Sequence, residues 1–252
     1  MIEFIKKRLI KKNLSTLALH ARNNINTGDR WCCPLDYFSF PCNQIVDIRD
    51  SLGQLSPSLT IFGGGAITRN TKRVLRKNKK IRRSIKVAWG IGHTRRGYDG
   101  FYDGHDSTEF HLYGNRDYKS NHGEYVPCAS CMHPAFDKEY KVKQDIVFFG
   151  HNKLHPFPHG QSNKILRIED VLEYLGSADT IVTSSYHGVY WGLLLGRKVI
   201  AVPTGSKFYG FKYPTPITTE WQTAKGQAHP EALEESRYRN ERFYKKVIEL
   251  IE

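Results

Sequence analysis

The sequence predicts an α/β protein of two Rossmann-like lobes with parallel sheets and a cleft between them, and three observations predict it. Short apolar runs of strand length alternate with amphipathic stretches of helix length. Several runs end in glycine-bearing turns, at residues 63–65 and 90–92, where a parallel strand hands over to a helix. The alternation occurs twice, on either side of a stretch over residues 115–143 rich in Gly, Pro, His, Tyr and charge.

Taken in order, residues 2–12 put Ile2, Ile5, Leu9 and Ile10 near helical spacing, opposite Lys6, Lys7, Arg8, Lys11 and Lys12. The apolar stripe of that short basic helix either packs inward or lies on an anionic lipid surface. Runs at 16–21, 44–48, 59–62 and 86–89 predict strands, with a basic helix near 70–78 and a further strand near 110–113. In the second half 145–149, 180–183 and 198–202 read as strands and 168–175 and 187–195 as helices, and a C-terminal helix begins near residue 231. The boundary falls near residue 140. Lobe 1–140 comes first, and lobe 141–252 includes the C-terminal helix.

Among the 252 residues, 38 Lys and Arg against 25 Asp and Glu leave a net charge of +13, which favours polyanionic partners: nucleic acid, an anionic lipid surface or a phosphorylated substrate. No zinc finger, RNP motif or helix-turn-helix pattern is present, which argues against nucleic acid. No apolar run approaches the roughly 20 residues of a membrane span, and no export signal is visible, so a cytoplasmic protein is expected, with possible peripheral contact at the inner membrane. The five cysteines, an odd number, read as reduced thiols rather than a disulfide framework.

In parallel sheets ligands gather beyond the carboxyl ends of the strands, and four strand ends carry unusual loops. Residues 23–29, with Asn26, Gly28 and Asp29, suit an anion or a sugar hydroxyl, or form an Asn-rich turn capped by Asp29. Gly64 and Gly65 within 63–65 let a ligand approach the backbone, or simply make a tight turn. Residues 89–96 deliver His93, Arg95 and Arg96, whose guanidinium groups bind carboxylate or phosphate in a forked geometry. Residues 181–188 run a strand into a helix with Ser184, Ser185 and His187 at the junction, where amides and hydroxyls hold an anion and an imidazole shuttles a proton, unless His187 is a buried structural residue.

The succession Asn-x-Gly-Asp (26–29), Gly-Gly-Gly (63–65), Gly-x-Gly (90–92), Arg116-Asp117 and Ser-x-x-His-Gly (184–188), followed by 192–200, resembles the polysaccharide pyruvyltransferases over about residues 16–203. The resemblance implies a GT-B-like fold. It also implies transfer of pyruvate from phosphoenolpyruvate to two hydroxyls of one sugar as a cyclic ketal, on a lipid-linked or polymeric saccharide acceptor of capsule, exopolysaccharide or O-antigen assembly, with no metal and no separate cofactor. Such a site needs cations for phosphate and carboxylate and a proton shuttle. The resemblance gives His187 the acid–base role and Lys207 a place in donor binding with Arg95 or Arg96, Ser184 and Ser185. Asn26, Gly28, Asp29, Gly64, Gly65 and Arg116 are assigned to the acceptor side or cleft. Arg116 and Asp117 are otherwise expected to form an ion pair at a loop base.

One departure matters. Many members carry an arginine where this chain has Ser185, so Arg95, Arg96 or Arg116 replaces that contact, or the donor differs. The alternative is a glycosyltransferase of the same pathway using a nucleotide-activated sugar. Cys128 and Cys131 have the spacing of a zinc knuckle but lack a second pair, so they are expected to be packed or to line the cleft. His151, His155 and His159 recur among prolines that forbid a helix, which predicts a loop over the cleft.

Overall fold

The computed structural model describes residues 14–23, 25–53, 55–151, 157, 159–165 and 167–252; the expected helix over 2–12, Asn24 and His155 lie outside the described residues. The α/β expectation holds, with two sheets whose paired strands all run parallel. The first contains β1 (Thr16–His20), β2 (Asn43–Asp47), β3 (Leu59–Gly63), β4 (Ile85–Ile91), β5 (Leu112–Asn115) and β6 (Glu124–Tyr125), in the order β2-β1-β3-β4-β5-β6. The second contains β7 (Gln144–Gly150), β8 (Gln161–Ser162), β9 (Ala178–Thr183) and β10 (Lys198–Ala201), in the order β10-β9-β7-β8.

Each sheet therefore begins with the same spatial order, second-first-third-fourth, where a Rossmann sheet would place its third strand at the edge beside the second. The chain steps one way from β1 to β2 and the other way from β1 to β3, and β7, β8 and β9 repeat the reversal. At such a reversal the loops leaving the two central strands part, and a crevice opens beyond their carboxyl ends.

Strand β1 is buried along its whole length, as a central parallel strand covered on both faces must be. Leu17 and Leu19 point to one face, with Phe62, Ala88 and Ile91, under Val74 and Leu75 of α2 (Thr68–Lys77) and Ile81 of α3 (Lys79–Arg83). Ala18, Ile61, Val87 and Trp89 point to the other, under Phe38 and Phe40.

That second face is closed by the C-terminal helix α6 (Ala232–Ile251), grouped with the second lobe in the sequence reading. Phe243, Val247, Ile248 and Ile251 recur at helical spacing and pack with the first sheet's core. Trp89 Nε1 donates to Asn240 Oδ1 at 2.8 Å. An apolar stripe goes to whichever face still lacks cover, and here that face belongs to the first sheet.

In the second sheet, α4 (Ile168–Gly176) and α5 (Tyr186–Leu194) share a core with Val147, Phe149, Ile181 and Val199. Phe148, Val182 and Ile200 face Phe157 and Trp221 on the opposite side. All nine residues of α5 are buried, so this helix is packed on every side. Among the described residues no helix is long and apolar enough to cross a membrane.

Candidate functional site

Loops from the carboxyl ends of eight strands, six of them central, meet at one cavity of about 340 Å³. Asn26 and Asp29 come to it after β1, Arg49 after β2, and Asn70 from α2, which follows β3. Thr94 and Arg96 follow β4, and Arg116 follows β5. His151 follows β7, Ser185, Tyr186 and His187 follow β9, and Thr204 and Lys207 follow β10. Arg49, Asn70, Tyr186 and Thr204 escaped the sequence reading. Their position just beyond apolar runs is the signal that marks Arg49, whereas Asn70 sits in a helix that otherwise reads as a solvated basic face.

The loop after β1 is built locally and then tied across. Asn26 Oδ1 accepts the Gly28 amide at 3.0 Å, capping the short helix α1 (Thr27–Arg30). The Thr27 amide donates to Asn163 O at 2.9 Å, and its hydroxyl reaches Asn163 O and Ile165 O. Asp47, at the end of β2, accepts the Asn23 amide at 2.7 Å and the Arg49 guanidinium at 2.8 and 2.7 Å. Burial alone would raise the Asp47 carboxyl; the bonds from Arg49 and the Asn23 amide hold it down to about 2.

Arg116 is the most informative residue of the site. It is 3% exposed, its guanidinium carbon stands 3.6 Å from the centre of the Tyr186 ring, and its Nε and Nη1 are buried without a hydrogen-bond partner. Gly92 makes room for it, since a Cβ there would stand 2.2 Å from Arg116 Nε. The expected Arg116–Asp117 ion pair is not formed. Asp117 Oδ2 instead lies 2.7 Å from His105 Nε2 and accepts the His93 amide at 2.9 Å. Just beyond the end of β5 the two side chains part, Arg116 to the cavity wall and Asp117 to His105. A permanently charged, buried guanidinium with unused donors is chemically incomplete without an anion.

His187 stands on the first turn of α5, whose N-cap Ser185 accepts the Gly188 amide at 3.4 Å. Its Nε2 is 3.5 Å from the Cys128 sulfur. Its Nδ1 faces Gly28, where an added Cβ would stand 1.9 Å away. Ser184 lies behind the junction, its Oγ accepting the His151 amide at 3.0 Å.

Lys207 and Arg96 complete the cationic lining. Burial, with the Arg116 and Arg96 charges as neighbours, lowers the Lys207 ammonium to about 8. Arg95, expected beside Arg96, lies over the rings of Tyr98 and Tyr102, 5.1 and 5.2 Å from their centres, and is not part of the cavity wall. Gly64 and Gly65, at φ of 59° and 75°, serve the turn after β3, with Gly64 pressed against Cys32 and Gly65 near the Asp29 carboxylate; neither lines the cavity. Cys128 and Cys131 are free thiols, both buried. Among the described residues no group of three or more His, Cys, Asp or Glu is placed to hold a metal ion.

Comparison of the chain with family models, curated proteins and solved structures finds no match in any of the three.

Proposed function

We propose that this chain is a polysaccharide pyruvyltransferase, moving pyruvate from phosphoenolpyruvate onto two hydroxyls of one sugar as a cyclic ketal. The observation that carries the proposal is the buried Arg116 guanidinium, with Nε and Nη1 unpartnered on the wall of a cavity that also holds Lys207 and Arg96. A small ligand bearing both a carboxylate and a phosphate matches Arg116, Lys207 and Arg96, three of the four cations on that wall, the fourth being Arg49, which is paired with Asp47. Arg116 takes the carboxylate by its fork, and Lys207, Arg96 and the first amides of α5 take the phosphate. His187 protonates the methylene carbon of the donor and then accepts a proton from a sugar hydroxyl, while Asp29 orients the second hydroxyl by accepting its hydrogen bond.

The proposal includes a GT-B-like arrangement, one lobe for each parallel sheet, supported by the strand order the two sheets share. It extends to a lipid-linked or polymeric acceptor at an anionic membrane face. Nine basic residues and no acidic one over 69–83 support that extension, and Asn70 stands both in the cavity wall and in the groove lined by Arg69, Lys72, Arg73 and Arg76. A glycosyltransferase using a nucleotide-activated sugar is the second reading, favoured by Ser185 in place of an arginine and by the crevice between β1 and β3, which suits a diphosphate.

The test is melting temperature with phosphoenolpyruvate and, separately, with nucleotides and nucleotide sugars, since a ligand bound only by the folded state raises it. A rise with phosphoenolpyruvate that disappears in Arg116→Gln is expected. A rise with a nucleotide alone would replace the first reading by the second.

A further inference from the structure

Beneath the cavity a chain of hydrogen-bonding side chains ends on His187. Trp191 Nε1, a donor only, lies 3.0 Å from Ser130 Oγ. The Ser130 hydroxyl proton is therefore available to the Cys128 sulfur at 3.2 Å, and that sulfur is 3.5 Å from His187 Nε2. The Cys32 thiol donates to the Asp29 carbonyl oxygen at 3.0 Å and lies beside the same sulfur. Cys128 is fully buried and absent from the cavity wall, so it does not attack a bound ligand.

With Nε2 engaged by Cys128, the nitrogen left for a ligand is Nδ1, on the Gly28 side. A sulfur that already accepts from Ser130 directs its own S–H at Nε2, which leaves the ring proton on Nδ1. If that S–H proton has passed to Nε2, Nδ1 carries a proton all the same. Either way, the cavity meets an N–H acid.

We propose that Cys128 is the proton partner of His187, a positioning residue that lets one imidazole act first as an acid and then as a base. The inference rests on the pyruvyl-transfer reading. In the first step the C=C electron pair of phosphoenolpyruvate takes the Nδ1 proton at its methylene carbon, and the Cys128 S–H proton moves to Nε2. The Ser130 hydroxyl, and the Cys32 S–H on turning from the Asp29 carbonyl, hold the resulting thiolate. Nδ1, now a lone pair, takes the proton of the first sugar hydroxyl as its oxygen bonds to C2, and Nε2 returns its proton to sulfur. The C–O bond to phosphate breaks with its electron pair, and the second hydroxyl's proton leaves with that phosphate as its oxygen closes the ketal.

The electrostatics agree. Burial acts to raise the Cys128 thiol, but hydrogen bonds with Cys32, His187 and Ser130 outweigh it and carry the group well below the ordinary thiol range. Cys32, bonded to it and buried, is pushed well above that range. The other titratable groups whose charge reaches Cys128 are His20 at the end of β1, Arg116 after β5, Cys131, Tyr37, Tyr186 and Tyr190; Asp29 reaches Cys32.

The full-length protein tests this through the ultraviolet absorbance of thiolate against pH, taken as wild type minus Cys128→Ser. The difference is expected to titrate below the ordinary thiol range and to move up in His187→Gln and in Cys32→Ala, with nitrogen NMR placing the proton of His187 on Nδ1. In phosphate release from phosphoenolpyruvate with a saccharide acceptor, Cys128→Ser is expected to lower kcat roughly tenfold or more and to displace the pH profile, with the donor KM unchanged. A difference titrating as an ordinary thiol, or a Cys128→Ser enzyme with wild-type kcat and pH profile, would overturn the proposal. If phosphoenolpyruvate neither binds nor releases phosphate, the pyruvyl-transfer reading fails, while the absorbance and NMR still decide the proton pair.

Discussion

The imidazole of His187 rests on the backbone of Gly28 so closely that a Cβ on Gly28 would stand 1.9 Å from Nδ1. Gly28 belongs to α1, which follows β1 of the first sheet, and His187 to α5, which follows β9 of the second, so the position of the proton shuttle depends on how both are placed. Gly28→Ala is expected to cut turnover roughly 100-fold, the effect of about 1 Å of misplacement, and to cost about 1–3 kcal/mol of stability. Steady-state phosphate release and urea denaturation check the two; wild-type turnover in Gly28→Ala would mean that the ring is not held by this contact.

Arg116 carries a different signature. Because its guanidinium is buried with Nε and Nη1 unpartnered, Arg116→Met removes two buried donors that have no hydrogen bond, and the ligand-free protein is expected to keep or gain melting temperature. The same variant should lose donor affinity by roughly tenfold or more, the worth of a charge-assisted hydrogen bond. Calorimetry with phosphoenolpyruvate and a thermal melt without it separate the two effects, and a destabilised variant that still binds would refute the assignment.

Lys207 predicts a pH dependence. With its ammonium lowered to about 8, the lysine is a cation below that pH and neutral above it, so anion affinity is full on the acid side and declines as pH rises. Above pH 8 the binding constant for phosphoenolpyruvate should fall by about tenfold per unit at most, and Lys207→Met should flatten that slope. Titration calorimetry across the range reads both.

His20 predicts a stability effect of opposite placement. Burial lowers its imidazole from 6.5 to about 4, so between those values the unfolded chain binds the proton that the folded chain refuses, and stability rises with pH. Unfolding free energy is expected to drop as pH falls through that window, and His20→Leu should remove the His20 share of the slope. Denaturant midpoints at several pH values test it.

Asn240 joins the C-terminal helix to the first sheet by accepting from Trp89 Nε1 at 2.8 Å. Asn240→Leu leaves that indole N–H buried without an acceptor and is expected to cost about 1–3 kcal/mol, read by chemical denaturation. An unchanged midpoint would mean that α6 is held by its apolar stripe alone.

Much of the fold was legible because strands and helices write their periods locally. Residues 59–62 and 180–183 announce β3 and β9 by short runs of apolar and β-branched residues, and Ser185 before a hydrophobic stretch marks the start of α5. β6 and β8, two residues each, were missed because so short a strand has no period to read. α3, five residues of which four are basic, was missed because only Ile81 among them is buried.

At the site, His187 and Lys207 stand out as residue types at strand ends, and both line the cavity. Arg95 and Arg96 were indistinguishable in sequence; only the rings of Tyr98 and Tyr102 draw one of them away. For Arg116 the sequence offers both the cleft and an ion pair with Asp117; the fold puts it on the cavity wall beside Tyr186.

The sequence by itself determined the alternation of elements, the parallel class of the sheets and the loops that carry polar chemistry, because each depends on residues within a few positions of one another. Only the tertiary structure decided the strand order, the return of α6 to the first sheet, and the meeting of Cys128 with His187 across a separation of 59 residues. Those are contacts between surfaces, made by whichever faces remain to be covered once the local elements exist, and no local period in the chain encodes them.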